Sequence, residues 1–283
     1  MTIRLLLAVT LAAGFLTACS DSGGDDTVDT TPLPDGVVMH VDQSRAARKG
    51  REVFVRVENN TAKPMRIERF ELTSPRLHDV SWSGDEIVEP GYERDLEFDL
   101  PRGRCGTDID AQVTLTYRVA AGDVRRSTGP ADDSYGNVAL FADRDCAEST
   151  LTRAADLSVG APEVVGSGSD AVLNLPVTLT PTGGANDVSF GGFGSTVLFQ
   201  QAAGSPTDVD VPLRAGDPPV ELVMSVVPAR CDSHALAEDK VGTLFDVSVT
   251  SPRLDDHASF FLPLTTKQRT AFFDFFRSSC GLG

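Results

Sequence analysis

Two stretches of this chain carry the same pattern, and that duplication limits its fold more than any other feature. Gly91, an alternating run of Leu96, Phe98 and Leu100, then Pro101 and Cys105 are echoed by Gly216, a run of Val220, Leu222, Met224 and Val226, then Pro228 and Cys231. Each of these cysteines precedes another alternating segment, 112–119 or 243–250, and each half closes on a further cysteine, Cys146 or Cys280. Apolar side chains at every second residue put one face of a strand in a core and the other in water. The same period occurs at Val53, Val55 and Val57, from Ile67 to Leu72, and at Val113, Leu115 and Tyr117. Turn-forming clusters at 59–61, 90–91 and 121–123 divide these runs. Short strands at this spacing predict antiparallel sandwiches, whereas α/β layers would need helices between the strands. The expected class is all-β: two immunoglobulin-like β-sandwich domains, the second with a short helical insertion and a C-terminal helix.

The amino end reads differently. Arg4, an apolar run from Leu5 to Phe15, then Leu16, Thr17, Ala18 and Cys19 resemble the lipobox signal of bacterial lipoproteins. The resemblance implies that the Cys19 thiol receives a diacylglycerol, that cleavage leaves Cys19 first, and that the protein is held at the extracytoplasmic face of the cell membrane. A spanning helix needs about 20 apolar residues, and Ser20, Asp21, Asp25 and Asp26 follow too soon. Residues 1–18 are therefore expected to be a signal peptide and 19–35 a hydrated acidic tether rich in Gly, Ser, Asp and Pro. The membrane, reached through this anchor, is one expected partner. Arginine outnumbers lysine, and Ala, Gly, Val and Asp are abundant, so with its lipobox the chain is similar to uncharacterised lipoproteins of actinobacteria.

Of the five cysteines, the acyl group takes Cys19 and leaves Cys105, Cys146, Cys231 and Cys280. An even set in an exported chain reads as disulfides, with three connectivities open. The duplication selects pairing within each half, Cys105 with Cys146 and Cys231 with Cys280. Zinc would need closely spaced pairs, which are absent. The expected domains are 36–153 and 154–283. The identical runs Thr73 to Leu77 and Thr250 to Leu254 lie on opposite sides of their cysteines. They are out of register with the repeat and read as a shared way of leaving a strand through Ser and Pro.

A formal net charge of -16 excludes a nucleic-acid partner, since phosphates must be met by Lys and Arg. No segment has the ligand spacing of an EF-hand loop, and no Gly-x-Ser-x-Gly elbow exists. Only His40, His78, His234 and His257 could serve as bases. Gly166, Gly168 and Ala171 fit a dinucleotide fingerprint superficially, but they lie between two strands and predict a hairpin. No catalysis and no cofactor are expected. A two-lobed solute receptor would need alternating βα units.

The strongest candidate site is the segment after Cys231, which gathers Asp232, His234, Glu238 and Asp239. In a helical turn His234 and Glu238 share a face at i and i+4, and with Asp232 they would suit a divalent metal. The plainer reading is a turn that Asp232 caps, with exposed acids beside Lys240. Thr265 and Gln268 have the spacing of a capping box, and Phe272, Phe275 and Phe276 then fall on one helical face, expected to pack in the core. Gly191, Gly192 and Gly194 around Phe190 and Phe193 read as a loop tip. The expected function is binding or scaffolding at the cell envelope, with an envelope protein or a small ligand as partner. The alternative is a metal site in the 232–240 insertion.

Overall fold

The computed structural model describes residues 30–44, 47, 50–106, 108–232, 234, 236 and 241–282. The strands of the first half are β1 (Thr30–Thr31), β2 (Val37–Asp42), β3 (Glu52–Asn59), β4 (Met65–Thr73), β5 (Val80–Val88), β6 (Tyr92–Asp99), β7 (Gln112–Val119) and β8 (Val124–Pro130), followed by helix α1 (Asn137–Ala154). One sheet has the order β2-β3-β6 and the other β1-β8-β7-β4-β5. Val53, Val55 and Val57 of β3 face Ile67 and Phe70 of β4 and Leu115 of β7 in one buried cluster. This two-sheet arrangement, in which the fourth strand pairs with the seventh and the third with the sixth, is that of an immunoglobulin-like sandwich.

The second half repeats it. Its strands are β9 (Ala155–Val159), β10 (Glu163–Val165), β11 (Val172–Pro181), β12 (Ser189–Phe193), β13 (Phe199–Gln201), β14 (Val211–Pro212), β15 (Val220–Pro228), β16 (Asp246–Thr250) and β17 (Ser259–Phe261), and helix α2 (Thr266–Cys280) closes the chain's described part. One sheet runs β10-β11-β15-β13, with β9 also on β11, and the other runs β14-β12-β16-β17. Thus β11 with β15 matches β3 with β6, and β12 with β16 matches β4 with β7. Even an irregularity is duplicated: the β4–β7 register shifts between Ile67 and Arg69, and the β12–β16 register between Phe190 and Gly192. The halves differ where β5 forms one nine-residue strand and its counterpart splits into β13 and β14, one on each sheet.

The bulge corrects the reading of Gly191, Gly192 and Gly194 as a loop tip. Gly191 and Gly192 lie inside β12, and both Phe190 and Phe193 are buried, with ring centroids 4.9 Å apart. Gly192 has φ 125°, and a Cβ there would lie 2.6 Å from the Thr207 carbonyl carbon. Glycine serves this strand by allowing the bulge and the close approach of a neighbouring backbone.

Both expected cysteine pairs are bonded, with Cα–Cα distances of 5.2 Å for Cys105–Cys146 and 5.1 Å for Cys231–Cys280. The Thr265 hydroxyl accepts the Gln268 N–H at 3.2 Å while Gln268 Oε1 accepts the Thr265 N–H at 2.7 Å, so the capping box is complete. Phe272, Phe275 and Phe276 are buried, and Phe199 stacks on or meets the edge of all three. The two identical pentapeptides are strand exits: Thr73 ends β4 and Thr250 ends β16, and each is followed by the same turn, with Leu77 N–H on Ser74 and Leu254 N–H on Ser251.

The sequence pattern did not single out α1, which at 18 residues exceeds the 15 of α2, although only the second half was expected to end in a helix. Its start is held by Asp133, whose carboxylate accepts the N–H groups of Val138 at 3.3 Å and Ala139 at 2.9 Å. Its buried face changes sides. At about 100° per residue, Val138, Phe141, Ala142 and Asp145 share one side, whereas Ala147, Thr150, Leu151 and Ala154 lie on the opposite one, and all eight are buried. Val138 and Phe141 belong to the first core. Ala147, Leu151 and Ala154 belong to the second.

Candidate functional site

Because α1 presents one side to each sandwich, hollows open along it. A cleft of about 440 Å³ lies between α1 and the second half. Asn137, Leu140 and Arg144 come from the helix, Thr196 and Val197 from the loop between β12 and β13, and Asp246 and Phe261 from paired positions on β16 and β17. Most of these side chains are fixed by local needs. Asn137 donates to Asp42 at 2.5 Å, Thr196 donates to the Gly242 carbonyl at 2.8 Å, and Gln43 bridges three carbonyls of the segment leading to β3. The Arg144 guanidinium lies 3.9 Å from the centre of the Phe261 ring, a contact between the two halves. Burial pushes the Asp246 carboxyl above its ordinary value, against the pull of Arg144 and a hydrogen bond from Ser259. At the mouth, Leu140 is 42% and Val197 51% exposed. A cleft with a few placed polar groups and apolar residues open to water is suited to binding.

A second hollow, of about 270 Å³, lies further along α1. It is lined by Arg76 and Arg253, the arginines of the two identical turns, and by Asp143, Cys146 and His257. Arg76 is buried and donates to Asp143 at 2.8 Å, whereas Arg253 reaches Asp187 at 3.5 Å. His257 adopts φ 65°, a left-handed backbone uncommon outside glycine. Arg76 thus fixes the first turn against the helix, whereas Arg253 ties the second turn to the loop before β12.

The insertion is only partly within the described residues. The Asp232 carboxylate accepts the His234 N–H at 2.9 Å and lies 3.4 Å from its Nδ1, and Leu236 N–H reaches the Asp232 carbonyl at 3.4 Å. The hydrogen bond from the His234 backbone holds the Asp232 carboxyl below its ordinary value. This is the capped turn of the plainer reading, with the His234 side chain 86% exposed. Glu238 and Asp239 lie outside the described residues, as do Cys19 and the whole of the lipobox. Among the described residues no three His, Cys, Asp or Glu side chains gather as a metal ion requires. No described helix is long and apolar enough to cross a membrane. Val241 and Leu244, which follow the insertion in sequence, line the cleft. The sequence carried no signal for Leu140 or Arg144, because α1 has no single apolar stripe, nor for Val197, which lies in the loop between β12 and β13.

The chain matches no known family, and no curated protein matches its sequence. Among solved structures, red sea bream transglutaminase aligns at 12% identity with a TM-score of 0.25, over 82% of this chain and 32% of its own. The exo-chitosanase of Amycolatopsis orientalis aligns at 16% identity and TM-score 0.21, over 80% of this chain and 26% of its own. CBD12 from CALX1.2 aligns at 12% identity and TM-score 0.23, over 78% of this chain and 82% of its own. The chain thus spans about a third of the transglutaminase and about a quarter of the chitosanase.

Proposed function

We propose that this protein is a lipid-anchored, non-enzymatic binding or scaffolding protein of the extracytoplasmic cell surface, and that it engages an envelope protein or a small ligand at the cleft along α1. The observation that carries the reading is the cleft of about 440 Å³, lined by α1 on one side and by the second sandwich on the other, with Leu140 and Val197 open at its mouth. The signal-like amino end supplies the address, and 19–35 supplies the reach. In this reading Asp232, His234, Glu238 and Asp239, which precede the cleft-lining Val241 in sequence, contribute to recognition.

Two experiments test the two parts separately. Metabolic labelling with a fatty-acid analogue should mark the protein and should fail on Cys19→Ala, which is expected to leave the membrane fraction. Label retained by that variant removes the anchor. Capture of a partner from envelope extracts should be lost when Leu140 and Val197 are both changed to Glu and weakened by Asp232→Ala, His234→Ala and Glu238→Ala together. Undiminished capture by folded variants places recognition elsewhere.

A further inference from the structure

Helix α1 runs directly into the second sandwich, whereas its packing in the first core is confined to its first turns. Ala154 passes directly into Ala155 of β9, and Ala147, Leu151 and Ala154 fill the second core. On the first sandwich Val138 and Phe141 enter the core, and past them the helix is held mainly by the loop after β6 and by Arg76. Cys105 in that loop is bonded to Cys146, at the point where the buried face of α1 changes sides. Asp145 accepts two hydrogen bonds from Arg51, at 2.8 and 2.7 Å, and one from the Gly103 N–H at 2.6 Å. The loop comes so close that a Cβ on Gly103 would lie 2.7 Å from the Ala142 Cα.

We infer that the Cys105–Cys146 bond is a redox-sensitive latch that fixes the setting of one sandwich against the other. Cys105 is exposed, and Cys146 borders the second hollow, so a thiolate from solvent can reach the bond. A dithiol reductant attacks the Cys105 sulfur, forming a mixed disulfide and releasing Cys146 as a thiolate that takes up a proton. The reductant's second thiolate then closes its own disulfide and expels Cys105. Two electrons and two protons have passed to the protein, and the reductant is oxidised. Val138 and Phe141 still pack in the first core, but past Phe141 the remaining hold on α1 is polar: Arg76 on Asp143, and Arg51 and Arg102 reaching Asp145 and Glu148 from the solvent side. Opening the latch therefore loosens the joint while α1 stays with the second half. Cys231–Cys280 lies within the second half and ties the start of the insertion to the end of α2, so it has no such leverage.

The test uses the full chain with paired distance probes at Tyr92 and Val223, both exposed and one in each half, introduced as keto amino acids so that no cysteine is added. In a Cys231→Ser/Cys280→Ser background a dithiol has only the latch to reduce. The width of the distance distribution should at least double on adding the dithiol, return on reoxidation, and be matched by Cys105→Ser/Cys146→Ser without any dithiol. An unchanged width under reduction overturns the inference. So does equal broadening in unreduced Cys231→Ser/Cys280→Ser, which would mark a general loosening. Should Cys105→Ser/Cys146→Ser fail to fold, the reversible reduction alone decides.

Discussion

Asp145 shows how much of this structure depends on single polar groups. Its side chain is 7% exposed and satisfies Arg51 and the Gly103 N–H together, and Arg51 in turn donates to the carbonyls of Leu100 and Pro101. Removing one partner of a buried pair costs about 3–5 kcal/mol. Arg51 keeps 34% of its side chain in water and can rehydrate, so Asp145→Ala should cost about 2–3 kcal/mol by the same reasoning, read as a fall in the urea midpoint. Asp246 gives a pH signature of definite sign. Burial raises its carboxyl above the ordinary 3.8, so the folded state binds that proton more tightly than the unfolded chain does. Its contribution is favourable at and below 3.8 and is lost as pH rises through the folded value. Asp246→Asn should therefore gain stability relative to the parent as pH rises across that interval, with the difference constant above it, in melting temperatures measured from pH 3 upward.

Among the elements, α2 and α1 make an instructive pair. The capping box and the phenylalanine face of α2 are local patterns, readable because each partner is within four residues of the next. Thr265→Ala should cost about 1 kcal/mol through the lost cap, and Phe272→Ala about 3–5 kcal/mol through the cavity it leaves among Phe199 and Phe245. Chemical denaturation of the two variants should rank them in that order. In α1 the apolar residues of the first turns face one core and those of the last turns face the other, and Asp145 and Thr150 are buried as well. No single stripe results, so the periodicity that signals a helix cancels. The glycines of β12 misled for a related reason, since their value lies in a bulge against β16 and a contact with Thr207. Gly192→Ala should cost more than about 1 kcal/mol, measured against Gly204→Ala, a positive-φ glycine with open space around it.

The molecule as a whole is a duplicated sandwich whose halves share one helix. The expected boundary at 153/154 coincides with the end of α1, and a fragment 154–283 would lack Ala147 and Leu151 of the second core. A fragment 137–283, which retains them, should melt well above 154–283 when both are followed by circular dichroism. Equal melting temperatures would show that α1 contributes nothing to the second half. The strands, the duplication, the pairing of four cysteines within halves and the capped terminal helix were all carried by the sequence. Period-two alternation, residue spacing and a repeated order are properties of neighbours along the chain, and the solvent that sorts apolar from polar side chains acts on them directly. The insertion's Asp232 cap was legible for the same reason. The cleft was not. Leu140, Val197, Arg144 and Phe261 come from separate elements, and they meet only because α1 is packed between two sheets. That placement depends on contacts between residues dozens of positions apart, which no local pattern encodes, so the tertiary structure alone decided where the cleft lies.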